Sequence, residues 1–82
     1  MTGKPLVELV EIVARALVDR PDQVKVRPGG GDRRQRIELS VAPDDVGKVI
    51  GKDGRTAQSI RVLLNTAAAR LGLGRAYLDI LD

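Results

Sequence analysis

The sequence predicts an α+β domain in which three helices cover one face of a three-stranded mixed sheet, in the order α-β-β-α-α-β. Apolar residues recur at helical spacing in three segments and alternate with other residues in three more. Two helical segments separate the second strand from the third, and a crossover of that kind joins parallel strands. With 82 residues the chain has room for one domain, which we expect to span residues 1–82.

The first helical segment begins at Pro5, because proline suits the first turn of a helix, and it stops before Pro21. Its apolar residues recur at intervals of three and four, which predicts an amphipathic helix. These residues are Leu6, Leu9, Val10, Val13, Ala16 and Leu17.

Two alternating segments, residues 24–27 and 36–41, predict an antiparallel hairpin. The turn between them, residues 28–32, is rich in glycine and begins with proline. Arg33, Arg34 and Arg36 give the hairpin a basic tip, and we expect these charges to be solvated rather than bound to a ligand.

A short helix is predicted over residues 44–50, with Asp44 as its N-cap and Asp45 well placed for the helix dipole. Gly51 ends this helix, since glycine tolerates the left-handed backbone found at helix ends. Gly47 lies inside it at a cost of about 1 kcal/mol relative to alanine, so we expect it to allow close packing of the next helix.

A longer helix is predicted over residues 55–71, followed by a strand in which Ala76, Leu78 and Ile80 share the inner face. Tyr77 falls on the outer face of that strand, where it is either part of an interface or an isolated exposed residue. The buried face of the helix is predicted to carry Ala57, Ile60, Leu64, Ala67, Ala68 and Leu71.

The composition excludes several classes of function. The chain has no cysteine and no histidine, which excludes disulfides, the usual Cys/His zinc sites, and catalysis by a cysteine nucleophile or a histidine base. Tyr77 is the only aromatic residue, so a nucleic-acid binder built on rows of stacking rings is excluded too. A net charge of +3 is compatible with a polyanionic ligand without establishing one. The apolar stretch near the N-terminus is too short and too charged for a membrane span or a signal peptide, so we expect a cytoplasmic protein.

The most informative segment is the connection between the last two helices, Gly51-Lys52-Asp53-Gly54. Glycines allow a tight turn there and also let another backbone come close. The turn leads into the start of a helix, whose free N–H groups and positive dipole end favour a phosphate-sized anion. Residues 46–55 carry a net charge of +2, from three basic residues and one acidic residue. Val49 or Ile50 could form an apolar wall beside this site. Alone, such a turn is equally explained as a tight helix–turn–helix connection.

In this context the segment Val49-Ile50-Gly51-Lys52-Asp53-Gly54, followed by Ile60, resembles the core motif of KH domains. The predicted element order resembles the type II, bacterial arrangement, and the short length resembles bacterial single-domain KH proteins of the KhpA kind. The resemblance covers essentially the whole chain. One departure is Ala57, which stands where many KH domains carry a larger aliphatic residue.

The resemblance implies an RNA-binding protein, an RNA chaperone or post-transcriptional regulator, whose glycine loop clamps about four nucleotides of single-stranded RNA. It implies a homodimer, a larger KH-containing protein partner, or both. Catalytic residues, metals, cofactors and a small-molecule substrate are not expected, nor is a membrane partner. The RNA-binding residues that it implies are Lys48, Val49, Ile50, Gly51, Lys52, Asp53, Gly54 and Arg55.

Two other functions compete with this interpretation. The first is a protein–protein interaction module in which the glycine turn is purely structural. The second is an enzyme that acts on a nucleotide, which is disfavoured because the loop lacks the spacing of a nucleotide-binding P-loop.

Overall fold

The structure is a computed structural model that describes residues 4–29 and 35–81. The helices are α1 (Lys4–Leu17), α2 (Val46–Ile50) and α3 (Arg55–Arg70), and the strands are β1 (Lys25–Pro28), β2 (Gln35–Ser40) and β3 (Ala76–Leu81). Single 3₁₀ turns occupy Pro21–Gln23, Pro43–Asp45 and Lys52–Gly54. The predicted order α-β-β-α-α-β is confirmed. No helix in the described part of the chain is long and apolar enough to cross a membrane.

The sheet has the order β1-β2-β3, with an antiparallel and a parallel pair. Leu39 at the centre of β2 lies between Val26 of β1 and Ile80 of β3. The parallel pairing of β2 with β3 confirms the crossover inferred from the two intervening helices.

The core lies between the sheet and the helices, as expected for a sheet that is covered on one face. Helices α1 and α3 pack against strands, and α2 packs against both of these helices. The most deeply buried side chains include Leu6, Val10, Ala14, Leu39, Val49, Leu64 and Ala68. On α3 the predicted buried face is correct for Ala57, Ile60, Leu64 and Ala68. Ala67 is only half-buried, and Leu71, one residue beyond the end of the helix, is 39% exposed.

Two predictions about α2 are wrong. Asp44 does not cap the helix, because residues 43–45 form a 3₁₀ turn without any capping side chain and Asp44 is exposed. Gly47 does not permit close packing, since a Cβ atom built there would meet nothing within 4 Å. The predicted basic tip is described only at Arg36, which is exposed on β2; Arg33 and Arg34 lie outside the described residues, as do residues 30–32 of the turn.

Candidate nucleic-acid interface

Gly51 is required by the backbone of the loop between α2 and α3. It adopts φ 78° and ψ 174°, a region that is essentially confined to glycine. A Cβ atom at this position would lie 2.6 Å from Cβ and 2.9 Å from the backbone nitrogen of Thr56. Gly51 therefore fixes both the turn and the close approach of the first turn of α3.

The two middle residues of the loop, Lys52 and Asp53, project into solvent. Asp53 has φ 55°, a left-handed conformation that aspartate tolerates better than most residues, and Gly54 follows with φ 75°. A Cβ atom at Gly54 would meet nothing within 4 Å, so only the backbone conformation selects glycine there. These consecutive left-handed residues turn the chain sharply and leave its outer surface open.

The backbone N–H groups of the loop are partly committed. The amide of Gly51 donates to the Gly47 carbonyl at 2.8 Å, and that of Gly54 donates to the Gly51 carbonyl at 3.2 Å. Within the described residues, no such backbone bond outside the helices ties down the amides of Lys52 and Asp53. Because α3 begins at Arg55, these two donors lie at the positive end of a helix of 16 residues. The arrangement favours an anion with several acceptor oxygens.

The three basic residues predicted around the loop divide into two groups. Lys52 and Arg55 are exposed and form no ion pair within the described part of the chain. The Lys48 ammonium instead lies 3.3 Å from an Asp19 carboxylate oxygen and 3.4 Å from one of Asp45. The pairing with Asp19, and then that with Asp45, raises the pKa of Lys48. The positive charge on the loop therefore comes mainly from Lys52 and Arg55.

Asp45 is a buried anchor that the sequence did not reveal. Its side chain is nearly inaccessible, at 1% exposure, and its carboxylate accepts the N–H of Asp19 at 3.3 Å and that of Arg20 at 3.1 Å. Burial acts to raise the pKa of Asp45, but the two backbone donors and the Lys48 ammonium outweigh it and hold the pKa below its usual value. The anchor joins the end of α1 to the start of α2. Its partners are 25 and 26 residues away, so no local pattern could have identified it.

The two aliphatic candidates for an apolar wall have different environments. Val49 is fully buried in the core, whereas Ile50, which immediately precedes the loop, is 38% exposed. Ile50 is thus the side chain that a ligand at the loop could contact without disturbing the core.

A groove of about 530 Å³ runs between α3 and β3, beginning one turn beyond the loop at Gln58. Arg61 lies in this groove and donates to the Leu78 carbonyl at 3.4 Å, on the free edge of β3. Asn65 accepts the N–H of Ala76 at 3.1 Å, so α3 side chains cover part of that edge.

Known proteins resemble this sequence over most of its length. The family model described as KhpA/KhpB, KH domain, matches residues 7–80. A protein named RNA-binding protein KhpA from Caldanaerobacter subterraneus is 56% identical over 63 residues, which cover 77% of this chain and 84% of that protein. A protein of the same name from Halalkalibacterium halodurans is 51% identical over 74 residues, which cover 90% of this chain and 96% of that protein.

Solved structures agree on the fold. A crystal structure of Era from Aquifex aeolicus bound to GDP and AlF4⁻ superposes with a TM-score of 0.70 at 20% identity over 93% of this chain. A structure of Era in complex with MgGDPNP and nucleotides 1506–1542 of 16S ribosomal RNA gives a TM-score of 0.67 at 21% identity over 92% of this chain. This chain spans 29% and 28% of those Era chains, so they support the fold alone.

The family model covers almost the whole chain, and the two relatives share about half of their residues with it. Both findings agree with the motif at residues 49–54 and with the observed order of helices and strands. The chain belongs to the KhpA/KhpB family of KH domains.

Proposed function

We propose that this chain binds single-stranded RNA and that the Gly51–Gly54 loop holds the RNA backbone. The observation that carries the proposal is the exposure of Lys52 and Asp53 on a turn that leads into α3, together with their own two amides, for which the described residues show no backbone bond outside the helices. Phosphate oxygens would accept the loop N–H groups, and the side chains of Lys52 and Arg55 would add charge. Of the eight predicted binding residues, Lys48 is paired with Asp19 and Asp45, and Val49 is buried in the core. The other six lie in this turn or next to it.

The bases of the bound strand would lie along the groove between α3 and β3. Val62, which is 57% exposed, supplies aliphatic surface in the groove, and Ile50 supplies it beside the loop. Such contacts do not discriminate strongly among bases, which makes the binding tolerant of sequence. RNA rather than DNA is proposed because the relatives are named RNA-binding proteins.

The wider role that we propose is that of a cytoplasmic RNA chaperone or post-transcriptional regulator with no catalytic activity. One loop and one short groove contact few nucleotides, so the affinity of a single domain is modest. Assembly as a homodimer, or with a larger KH-containing protein, would raise the effective concentration of the second site and thereby the avidity.

The test is the substitution Lys52→Asp, with Lys25→Asp as the matched control. Both lysines are exposed, but Lys25 lies on β1 at the opposite edge of the sheet from the groove. Anisotropy titrations with single-stranded RNA should show a large loss of affinity for the loop variant and a small one for the control. If about four phosphates are neutralised, the slope of log affinity against log salt should be near −3 for the wild type.

The same variants separate RNA binding from the competing function of a protein-interaction module. If Lys52→Asp leaves RNA affinity unchanged, or if the wild-type salt response is flat, the phosphate clamp is wrong. Circular dichroism should show that the variant stays folded, because Lys52 is exposed and is not a member of the hydrophobic core.

A further inference from the structure

A cluster of arginines surrounds the single tyrosine at the far end of the groove from the glycine loop. Arg36, Arg61 and Arg75 all line the groove, together with the Tyr77 ring. Asp79 is the acidic residue in the lining, and its carboxylate lies 3.6 Å from the Arg36 guanidinium. The described lining therefore keeps an excess of positive charge. Along α3 the lining extends to Thr66, which lies about 16 Å from Arg55 at 1.5 Å per residue.

The position of Tyr77 makes this end different from the aliphatic part of the groove. Along β3, Tyr77 and Asp79 alternate with buried Ala76 and Leu78, so they face away from the helices. Because β3 is an edge strand, the groove passes from α3 around the free edge to the outer face of the sheet. The Arg75 guanidinium lies over the Tyr77 ring, 5.8 Å from its centre.

We infer that this end of the groove is a nucleotide subsite, in which a base packs on the Tyr77 ring while Arg75 and Arg36 hold the adjoining phosphate. A planar ring next to exposed guanidinium groups offers both kinds of contact that a single-stranded nucleotide makes, stacking and charge. The inference rests on the proposed function and extends it, because it makes the bound strand longer than the segment held at the loop.

The composition of the chain supplies a direct reporter for this subsite. Tyr77 is the only tyrosine, and there is no tryptophan, so intrinsic emission arises from the proposed subsite alone. Stacking of a base on the phenol ring should quench that emission. A control protein with Tyr77→Phe and Ile12→Tyr moves the reporter to α1, where Ile12 is 68% exposed, and corrects for absorption by the nucleic acid.

The experiment titrates the protein with oligoadenylates of about four and about eight nucleotides. We expect the longer RNA to quench wild-type emission strongly, the shorter one weakly, and neither to quench the control protein beyond the absorption correction. Tyr77→Leu should weaken binding of the longer RNA by roughly 5- to 20-fold and change the affinity for the shorter RNA by no more than about twofold. Tyr77→Phe should keep the wild-type affinity for the longer RNA.

The charged half of the subsite is tested with Arg75→Gln against Arg70→Gln. Both arginines are exposed and flank the same turn, but Arg70 does not line the groove. Arg75→Gln should lower the salt slope for the longer RNA by about 0.7, and Arg70→Gln should not.

The outcomes separate the subsite from the clamp. If Lys52→Asp abolishes binding of both RNAs while Tyr77→Leu and Arg75→Gln change neither, the subsite is wrong and the clamp stands. Equal losses for the short and the long RNA in Tyr77→Leu would also overturn the subsite, since it must act only on the longer strand. If binding depends on Tyr77 but not on Lys52, the proposed clamp at the loop is wrong. The subsite, which was proposed as an extension of that clamp, is then wrong as well.

Discussion

The two ends of α2 (Val46–Ile50) are held in opposite ways. At its start, the buried carboxylate of Asp45 accepts two backbone N–H groups from the segment after α1 and pairs with Lys48. At its end, the Gly51–Gly54 loop relies on unusual backbone angles, and its two middle residues project into solvent. Because α2 is only five residues long, the contacts of Asp45 at its start also fix the position of the loop at its end.

Under the proposed function, this difference separates stability from binding over a very short distance. The polar groups at the start of α2 are satisfied by the protein itself, whereas the described residues show no backbone bond outside the helices for the amides of Lys52 and Asp53. A helix this short is unstable alone, because nucleation costs more than a few hydrogen bonds return. Its position therefore depends on tertiary contacts, chiefly Asp45 and the buried Val49.

The largest expected effect comes from Gly51→Ala at the end of α2. The added Cβ would clash with Thr56 and would also require a backbone conformation that alanine avoids, so we expect the free energy of unfolding to fall by about 3 kcal/mol or more. Gly54→Ala should cost only about 1–2 kcal/mol, because its Cβ meets open space and only the left-handed angle is penalised. Urea unfolding measures both values.

Adding Thr56→Ala to Gly51→Ala removes one of the causes. Without the Thr56 hydroxyl and γ-methyl groups the contact with Oγ1 is relieved, but the close approaches to the Thr56 Cβ at 2.6 Å and to its nitrogen at 2.9 Å remain, as does the backbone strain. Partial recovery is therefore expected. Full recovery would mean that the backbone conformation of Gly51 imposes no cost of its own.

The next effect comes from Asp45→Asn at the start of α2. An amide keeps the shape but replaces one acceptor oxygen with a donor that faces a backbone N–H, and it loses the pairing with Lys48. We expect the melting temperature to fall by roughly 5–15 °C at neutral pH. Asp44→Asn is the matched control, since Asp44 is exposed and caps nothing, and it should shift the melting temperature very little.

The pH dependence of this effect has a defined sign. The pKa of Asp45 is lower in the folded protein than in the unfolded chain, so its contribution is present above the unfolded value, about 3.9, and is lost as the pH falls through the folded value. The stability difference between wild type and Asp45→Asn should therefore shrink in acid. A difference that stays constant from neutral pH to pH ~2 would contradict the charged state assigned to this carboxylate.

A smaller effect distinguishes Lys48 from Lys52. Lys48 pairs with Asp19 and Asp45 at the start of α2. Lys48→Gln should therefore lower the melting temperature and leave the salt slope of RNA binding unchanged. Lys52→Gln should leave the melting temperature unchanged and reduce the salt slope of RNA binding by about 0.7. An equal loss of slope in both variants would show that the Lys48 ammonium leaves its carboxylate partners and contacts the RNA.

Local sequence patterns were sufficient for the element order, the parallel pairing of β2 with β3 and the position of the glycine loop. Each of these depends on periodicity or on residues that lie next to each other, such as Gly51 and Gly54. The hydrogen bonds of Asp45 could not be predicted, because their donors, Asp19 and Arg20, precede the β1–β2 hairpin in the sequence and Asp45 follows it. The sequence also could not show which of Val49 and Ile50 is exposed, because that depends on how α2 is rotated against the core.

The smallest expected effect concerns Gly47, whose predicted packing role is wrong. Its Cβ would meet nothing within 4 Å and its backbone is helical, so Gly47→Ala removes a flexible residue without creating a clash. We expect the free energy of unfolding to rise by about 0.5–1 kcal/mol, measured by urea unfolding. RNA affinity should stay within about twofold of the wild-type value, because contacts of Asp45, and not of Gly47, hold α2 in place. If stability rises but RNA affinity falls sharply, the missing side chain serves the close approach of the ligand, and the binding surface extends from the loop back onto α2.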